Sequence, residues 1–419
     1  MLWIWAVSKA RQAPQVGENA TGALHFATFW NATVGFRADG STSAPKLVRA
    51  SGMILVLTQC FPPVLGGIET YVAGFAEAAS AAGRDVVVLA DGGSDANAYD
   101  DRTSPPYEIR RFGGAKLIRR PLKALAARRF AASCEMVLAD SWKSLEWVDP
   151  KPFRAAGARI ACLAHGMEFP EVPSEGKRRR IAASLAKADR VLANSTYTRS
   201  LVAEIVSHAG LELATPPISP QPDPTPAQVA QLSKRIGAAS VDTPVIATLC
   251  RLEPRKGVDR VICALGRLKS RHPTALFAVA GAGEDRLRLE TLANVEGLTD
   301  RVIFLGRVDD AEKHALFSRA DLFAMPTRRV GSSVEGFGIV YLEAGWQGAP
   351  ALAGAEGGAR DAVLDGETGL VCDGADLDAV IEALDALLGD KPRREAMGRA
   401  AAKHARENTW AARIDRFLG

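Results

Sequence analysis

A chain of 419 residues exceeds one ordinary domain and suits two of about 170 to 200 residues each. Its 47% hydrophobic and 24% charged content is that of a core-forming globular protein, and a net charge of +4 is too small to argue for a nucleic-acid partner. No apolar run approaches the ~18 to 20 residues that span a bilayer, and six scattered cysteines without a Cys-x-x-Cys pair read as small buried hydrophobes of a reducing compartment, the cytoplasm by default.

Residues 1–52 carry three of the seven tryptophans and end in the polar stretch Arg37-Ala-Asp-Gly-Ser-Thr-Ser43. Met1 to Val7 is apolar but short, lacks a basic segment before it and runs into Lys9 and Arg11, which argues against a signal peptide. The segment is expected to be an extension without regular structure, upstream of a true start at Met53. From Met53-Ile-Leu-Val-Leu-Thr58 onward, short apolar runs recur at Val86–Ala90, Met136–Ala139, Arg159–Ala164 and Arg190–Ala193. Bounded by polar residues or glycine, they are expected as buried parallel strands. Alanine-rich stretches such as Tyr71–Ala82 read as the helices between them, so residues 53–214 predict a doubly wound Rossmann-like domain.

Six prolines in the twelve residues Thr215–Pro226 exclude the interior of a helix or strand and predict a linker or hinge over 215–242. A second series of strands follows at Pro244–Leu249, Ala275–Ala280, Val302–Leu305, Leu322–Met325, Ala349–Ala353 and Gly369–Val371. It predicts a second Rossmann-like domain over 243–407, with a last helix over 408–419. Ligands of such sheets bind beyond the carboxyl ends of the strands.

The run Glu335-Gly-Phe-Gly-Ile-Val-Tyr-Leu-Glu343 carries the clearest chemistry. As a loop entering a helix, it sets its two carboxylates roughly 12 Å apart on similar sides. It leaves the amides of Gly336, Phe337, Gly338, Ile339 and Val340 unpaired at a helix N-terminus, where an anion is stabilised. A sugar nucleotide, with hydroxyls at both ends and a diphosphate between, satisfies all three features. Arg251-Leu-Glu-Pro-Arg-Lys256-Gly257 follows a strand and supplies fixed cations for a leaving phosphate. In Phe61-Pro-Pro-Val-Leu-Gly66-Gly67 two glycines let backbone approach a phosphate. His165 also follows a strand. Ala280-Gly281-Ala-Gly283-Glu284 fails as a dinucleotide fingerprint because Arg286 stands where the third glycine belongs.

These motifs, in this order, resemble those of the retaining GT-B glycosyltransferases of family 4, the glycosyl transferases group 1 type, from about Met53 to the C-terminus. The resemblance implies an α/β GT-B fold, two Rossmann-like doubly wound domains facing across a cleft, the last helix crossing back to the first domain. It implies that Arg251 and Lys256 bind the donor diphosphate, with Arg255 the least functional cation of the run. Glu335 is expected on donor-sugar hydroxyls, Glu343 on ribose hydroxyls, and the amides of Gly336–Ile339 on the sugar and terminal phosphate. Gly66 and Gly67 would close over the diphosphate, His165 would border the sugar, and Gly283, Arg307 and Val308 would lie at the nucleotide and its base.

Implied too is transfer of a hexose from a nucleoside diphosphate to a glycan or lipid-linked saccharide, as in lipopolysaccharide or exopolysaccharide biosynthesis. The favoured mechanism is front-face, the leaving phosphate helping to deprotonate the acceptor. No cofactor and no metal are expected: the one Asp-x-Asp, Asp376-Leu-Asp378, reads as capping charge at a helix start. A sugar-nucleotide epimerase of related fold and a non-catalytic sugar-nucleotide-binding protein are the alternatives. Two departures stand out. The proline tract replaces the usual Gly-hydrophobic-Asp loop, and Gly357-Gly358-Ala-Arg360-Asp361 stands where relatives often carry Gly-Gly-x-Pro-Glu.

Between Arg110 and Arg129 lie eight basic residues and no acidic one, and Lys177-Arg-Arg-Arg180 forms a second cluster. Basic residues on a helix with an apolar face suit an anionic membrane surface. The expected location is therefore cytoplasmic, with peripheral attachment to the inner face of a membrane.

Overall fold

The computed structural model describes residues 52–93 and 95–419, so the expectations for residues 1–51 lie outside the described residues. Two parallel sheets carry the fold. The first contains β1 (Met53–Leu57), β2 (Asp85–Asp91), β3 (Glu108–Phe112), β4 (Cys134–Ala139), β5 (Arg159–Ala164), β6 (Arg190–Ala193) and β7 (Leu211–Leu213), in the order β3-β2-β1-β4-β5-β6-β7. The second contains β8 (Val245–Leu249), β9 (Leu276–Ala280), β10 (Val302–Gly306), β11 (Leu322–Met325), β12 (Ala351–Gly354) and β13 (Gly369–Cys372), in the order β10-β9-β8-β11-β12-β13. Each order reverses beside its central strand, between β1 and β4 and between β8 and β11, which opens a crevice at the strands' carboxyl ends.

Helices cover both faces of each sheet, which is why the strands read as unbroken apolar runs. In β1, Ile54 and Val56 enter the core shared with the Gly67–Ala81 helix, while Leu55 and Leu57 enter the opposite core with Trp142 and Phe153. The second sheet is sandwiched in the same way, with Val245 and Ala247 on one side and Ile246 on the other.

The proline tract crosses between the halves beside the returning chain. Ile218 N donates to Asn408 O at 2.9 Å and Trp410 N to Ile218 O at 3.1 Å. The helix Trp410–Leu418 then packs on the Gly67–Ala81 helix, with Trp410 stacked on Tyr71 at 5.6 Å. Where the sequence reading puts a linker over 215–242, residues Pro226–Arg235 form a helix. Pro226 is harmless at its first turn because that amide has no helical acceptor, and Thr225 with Gln228 closes a capping box. Leu232 and Ile236 then bury against the second half.

The basic stretch is also divided differently from the reading that set it on one helix. Arg110 and Arg111 belong to β3, and the helix spans Lys116–Arg128.

Candidate active site

The candidate residues sit where the strand order reverses. Cys250–Gly257 follows β8, and Gly257, at φ 74°, passes so close to the Pro326 carbonyl after β11 that a Cβ there would lie 2.1 Å from it. The turn brings Lys256 inward, and with it Arg255. Both donate to one oxygen of Glu335, Arg255 at 2.9 Å and Lys256 more closely still. Burial alone would push the Glu335 carboxyl up, but the Lys256 charge and then the Arg255 charge more than offset it and hold the group below its ordinary value. Glu335 is therefore an ionised, buried carboxylate between two cations. Arg255, set aside on sequence grounds, is a full member of this cluster; its side chain folds back under the turn, which periodicity does not reveal.

Arg251 behaves differently. Its side chain is 68% exposed and, among the described residues, pairs with Glu253 alone, at 3.3 Å.

The carboxylate run forms a loop ending at Gly338, φ 87°, followed by the helix Ile339–Trp346. The amides of Gly336 to Val340 find no acceptor among the described residues. Gly336 lies against the first half: a Cβ on it would stand 2.3 Å from the His165 carbonyl oxygen. Ile339 packs against cores of both halves. Glu343, one turn further on, pairs with Lys313 at 3.1 Å. Burial would lower the Lys313 ammonium, but Glu343 and then Asp310 raise it above its ordinary value. Gly283, after β9, is packed on Leu252, while Arg307 and Val308, after β10, are exposed and half-buried respectively.

In the first half the organiser is Asp140, at the end of β4, a residue the sequence reading passed over. Its carboxylate accepts from Thr58 Oγ1 at 2.9 Å, Gln59 N at 2.7 Å and Ser144 Oγ at 2.5 Å, which fixes the start of the loop that runs to Gly66 and Gly67. Its carbonyl lies 2.8 Å from His165 Nε2. A carbonyl only accepts, so that nitrogen carries the proton and Nδ1 is left as an acceptor in the neutral ring. Tyr71 supports the ring edge-on at 5.8 Å, and Tyr71 is itself stacked on Trp410. The His165 position is thus set by four elements separated widely in sequence.

Two polar ties hold the halves together beside this junction. Asp361 accepts from Thr196 N at 3.1 Å and Thr196 Oγ1 at 2.7 Å, so the residue that departs from the family pattern caps a helix of the other half. Arg329 pairs with Glu171 at 2.6 Å and with Glu356 at 3.4 Å. Neither tie has a local sequence signature, because each joins loops from different domains. Asp376 accepts from Asp378 N and caps the helix Leu377–Gly389.

Two doubly wound sheets, joined at their carboxyl ends around a buried carboxylate, its cations and a histidine, define the GT-B architecture of nucleotide-sugar glycosyltransferases. Residues 230–404 match the glycosyl transferases group 1 model and residues 65–211 the glycosyltransferase family 4 model. The chain is 35% identical over 368 residues to the GDP-mannose-dependent alpha-(1-6)-phosphatidylinositol monomannoside mannosyltransferase of Mycolicibacterium smegmatis, covering 85% of this chain and 94% of that one. It is 32% identical over 369 residues to the GDP-mannose-dependent monoacylated alpha-(1-6)-phosphatidylinositol monomannoside mannosyltransferase of Corynebacterium glutamicum, with 86% and 95% covered. Anabaena Alr3699/HepE, solved in complex with UDP and glucose, shares the fold with a TM-score of 0.71 at 20% identity, over 88% of this chain and 98% of that one. The chain belongs to glycosyltransferase family 4 and is a glycosyltransferase.

Proposed function

We propose that this enzyme moves mannose from GDP-mannose, with retention and without a metal, onto a glycolipid of the phosphatidylinositol mannoside type. Donor and acceptor follow the two mannosyltransferases matched over nearly their whole length. The Lys256–Glu335–Arg255 cluster, facing His165 across Gly336, is the observation that carries the chemistry.

Arg251 and Lys256 take the donor diphosphate, and the free amides of Gly336–Val340 add dipoles aimed at the same charge. Glu335 then exchanges part of its ion pairing for donor-sugar hydroxyls, and His165 Nδ1 accepts from another. Glu343 holds the ribose hydroxyls. The acceptor oxygen bonds to the anomeric carbon on the face from which the phosphate departs. As the bond to the phosphate oxygen breaks, its electron pair stays on the phosphate and the acceptor proton passes to a phosphate oxygen. Fixed cations stabilise the charge that develops there, so the residues present supply the role a metal would otherwise fill.

An anionic membrane surface is the second part of the reading. On the helix Lys116–Arg128, Leu117, Ile118, Leu122 and Leu125 are 50–85% exposed and lie within one arc. The opposite face turns its cations inward: Arg119 and Lys123 bind Asp91 at 2.8 and 2.5 Å. Lys116 and Arg128 stay exposed at its two ends, but an outward apolar arc backed by inward-turned Arg119 and Lys123 departs from an ordinary solvated helix and suits lipid. No helix among the described residues is long and apolar enough to cross a membrane.

The deciding experiment incubates the full chain with radiolabelled GDP-mannose and vesicles containing phosphatidylinositol monomannoside, then reads the new linkage by NMR. An α-linked dimannosylated lipid, formed in the presence of chelator, is the expected product. Release of free mannose alone, a β linkage, or transfer only from another sugar nucleotide overturns the reading.

A further inference from the structure

The inward side of the Lys116–Arg128 helix borders a recess that the donor chemistry leaves unused. Gln59, Arg120, Lys123, Lys143 and Ser144 line it together with the apolar Leu57, Ala124, Trp147 and Val148, and its interior has room for about one water. The neighbouring acids are already engaged. Asp91 holds Lys123 and Arg119, Glu146 forms a two-point pair with Arg180, Glu168 accepts from the His165 amide, and the Asp140 carboxylate is wrapped by hydroxyl and amide donors. Lys143, by contrast, has no hydrogen-bond or ion-pair partner among the described residues, and neither has the Lys177 ammonium near it. Burial, and then the Lys143 charge, push Lys177 below the ordinary lysine range. Arg120 gives one nitrogen to Gln59 Oε1 at 2.7 Å and stands 4.0 Å from Glu146, while its buried Nε finds no partner among the described residues. Cations gathered side by side without matching acids are a standing electrostatic cost, relieved by an anion brought in from outside.

The position of the recess indicates which anion. On one side the same helix presents its apolar arc to solvent. On the other, Asp140 links the recess to the cleft: Ser144 and the Gln59 amide bind its carboxylate, and His165 Nε2 binds its carbonyl. Apolar surface, then unmatched cations, then the sugar site is the order of acyl chain, phosphodiester and polyol in a phosphoglycolipid. We propose that the phosphodiester of the lipid acceptor binds at the mouth of this recess, with the half-buried Lys143 and Arg120 as its cations. This assignment deepens the acceptor reading above and rests on it. It makes Lys143 and Arg120 acceptor-recognition residues, distinct from the Lys256–Glu335–Arg255 cluster.

Two measurements test it. In the first, thermal unfolding of the full chain is followed with water-soluble short-chain phosphatidylinositol, with inorganic phosphate, and with a neutral short-chain glycolipid. The wild type is expected to be stabilised by the phosphatidylinositol alone. Lys143→Ala and Arg120→Gln should each weaken that binding about ten- to a hundredfold, as for a lost charged hydrogen bond, and Lys143→Arg should restore most of it. Equal response to inorganic phosphate would overturn the lipid assignment, and no response to phosphatidylinositol would overturn the site. In the second, mannose transfer to a short-chain phosphatidylinositol monomannoside is compared with transfer to the same glycoside lacking the phosphodiester. Lys143→Ala should raise KM for the first acceptor only, leaving KM for GDP-mannose unchanged. Lys143-dependent binding without any transfer would sink the mannosyltransferase reading and leave the recess standing. Transfer that ignores both the phosphodiester and Lys143 would do the reverse.

Discussion

The two halves share one topology but leave their charges in different states. In the second half every buried acid of the cleft is matched: Glu335 by Lys256 and Arg255, Glu343 by Lys313, Asp259 by Arg328 in a two-point pair at 2.9 Å. Among the described residues, Lys143 and Lys177 of the first half stand unmatched, and nine of the thirteen large hydrophobic side chains most exposed to solvent lie in that half. The first half also draws support from outside itself, through Trp410 and Phe417 of the last helix. Matched charges hold a site in shape before its ligand arrives, which suits a soluble donor that must be positioned for bond breaking. Unmatched charge and exposed apolar surface mark places where the ligand, or the surface that carries it, supplies what is missing.

The support that the first half borrows is the easiest part of this contrast to break. Trp410 is 4% exposed among Tyr71, Phe75 and Phe417, so Trp410→Ala should cost about 3 to 5 kcal/mol of stability. Calorimetry should show the loss concentrated in the first half, because the second half's cores do not include Trp410. A uniform loss would mean that the halves unfold as one unit.

Next in size is the matched cluster. Lys256→Met leaves Glu335 with Arg255 alone and, on the proposed mechanism, removes a cation from the leaving phosphate; kcat should fall by about 10² to 10³. Arg255→Met should lower the melting temperature and cost less in kcat, since Arg255 reaches Glu335 from beneath the turn. Equal kcat losses would show that both cations act on the phosphate.

On the unmatched side, Leu122→Glu puts a charge into the outward apolar arc. Partition onto phosphatidylinositol-containing vesicles should drop about tenfold or more, the worth of one buried leucine. Unfolding should shift by less than about 0.5 kcal/mol, because Leu122 is 50% exposed. Unchanged partition would remove the lipid from the contrast.

The smallest effect is a pH dependence. Glu335 is held below its ordinary value of 4.5 in the folded chain, so its contribution to stability is present above that value and fades as pH falls through the lower, folded one. The difference in unfolding free energy between wild type and Glu335→Gln should be flat from pH 8 to about 5 and shrink below about 4.5. A difference that instead shrinks as pH rises would mean Glu335 is protonated in the resting protein.

Much of the first-sheet and second-sheet architecture was legible because buried parallel strands write themselves as short apolar runs, and β5, β6 and β11 fall where those runs lie. The strand β3 was missed: Glu-Ile-Arg-Arg-Phe at a sheet edge is half polar and reads as part of the basic stretch. The helix Pro226–Arg235 was missed because proline density masked a capping box.

At the candidate site, the sequence by itself marked the residues whose signal is local: the Glu335–Glu343 run, the Arg251–Lys256 loop, and His165 after its strand. These are short segments in which residue type and spacing carry the meaning. Only the tertiary structure decided the rest. Asp140, Asp361, the engagement of Arg255 and the outward turn of the Lys116–Arg128 leucines depend on which loop meets which. That is settled by packing between segments tens to hundreds of residues apart, where no period in the chain records the partner.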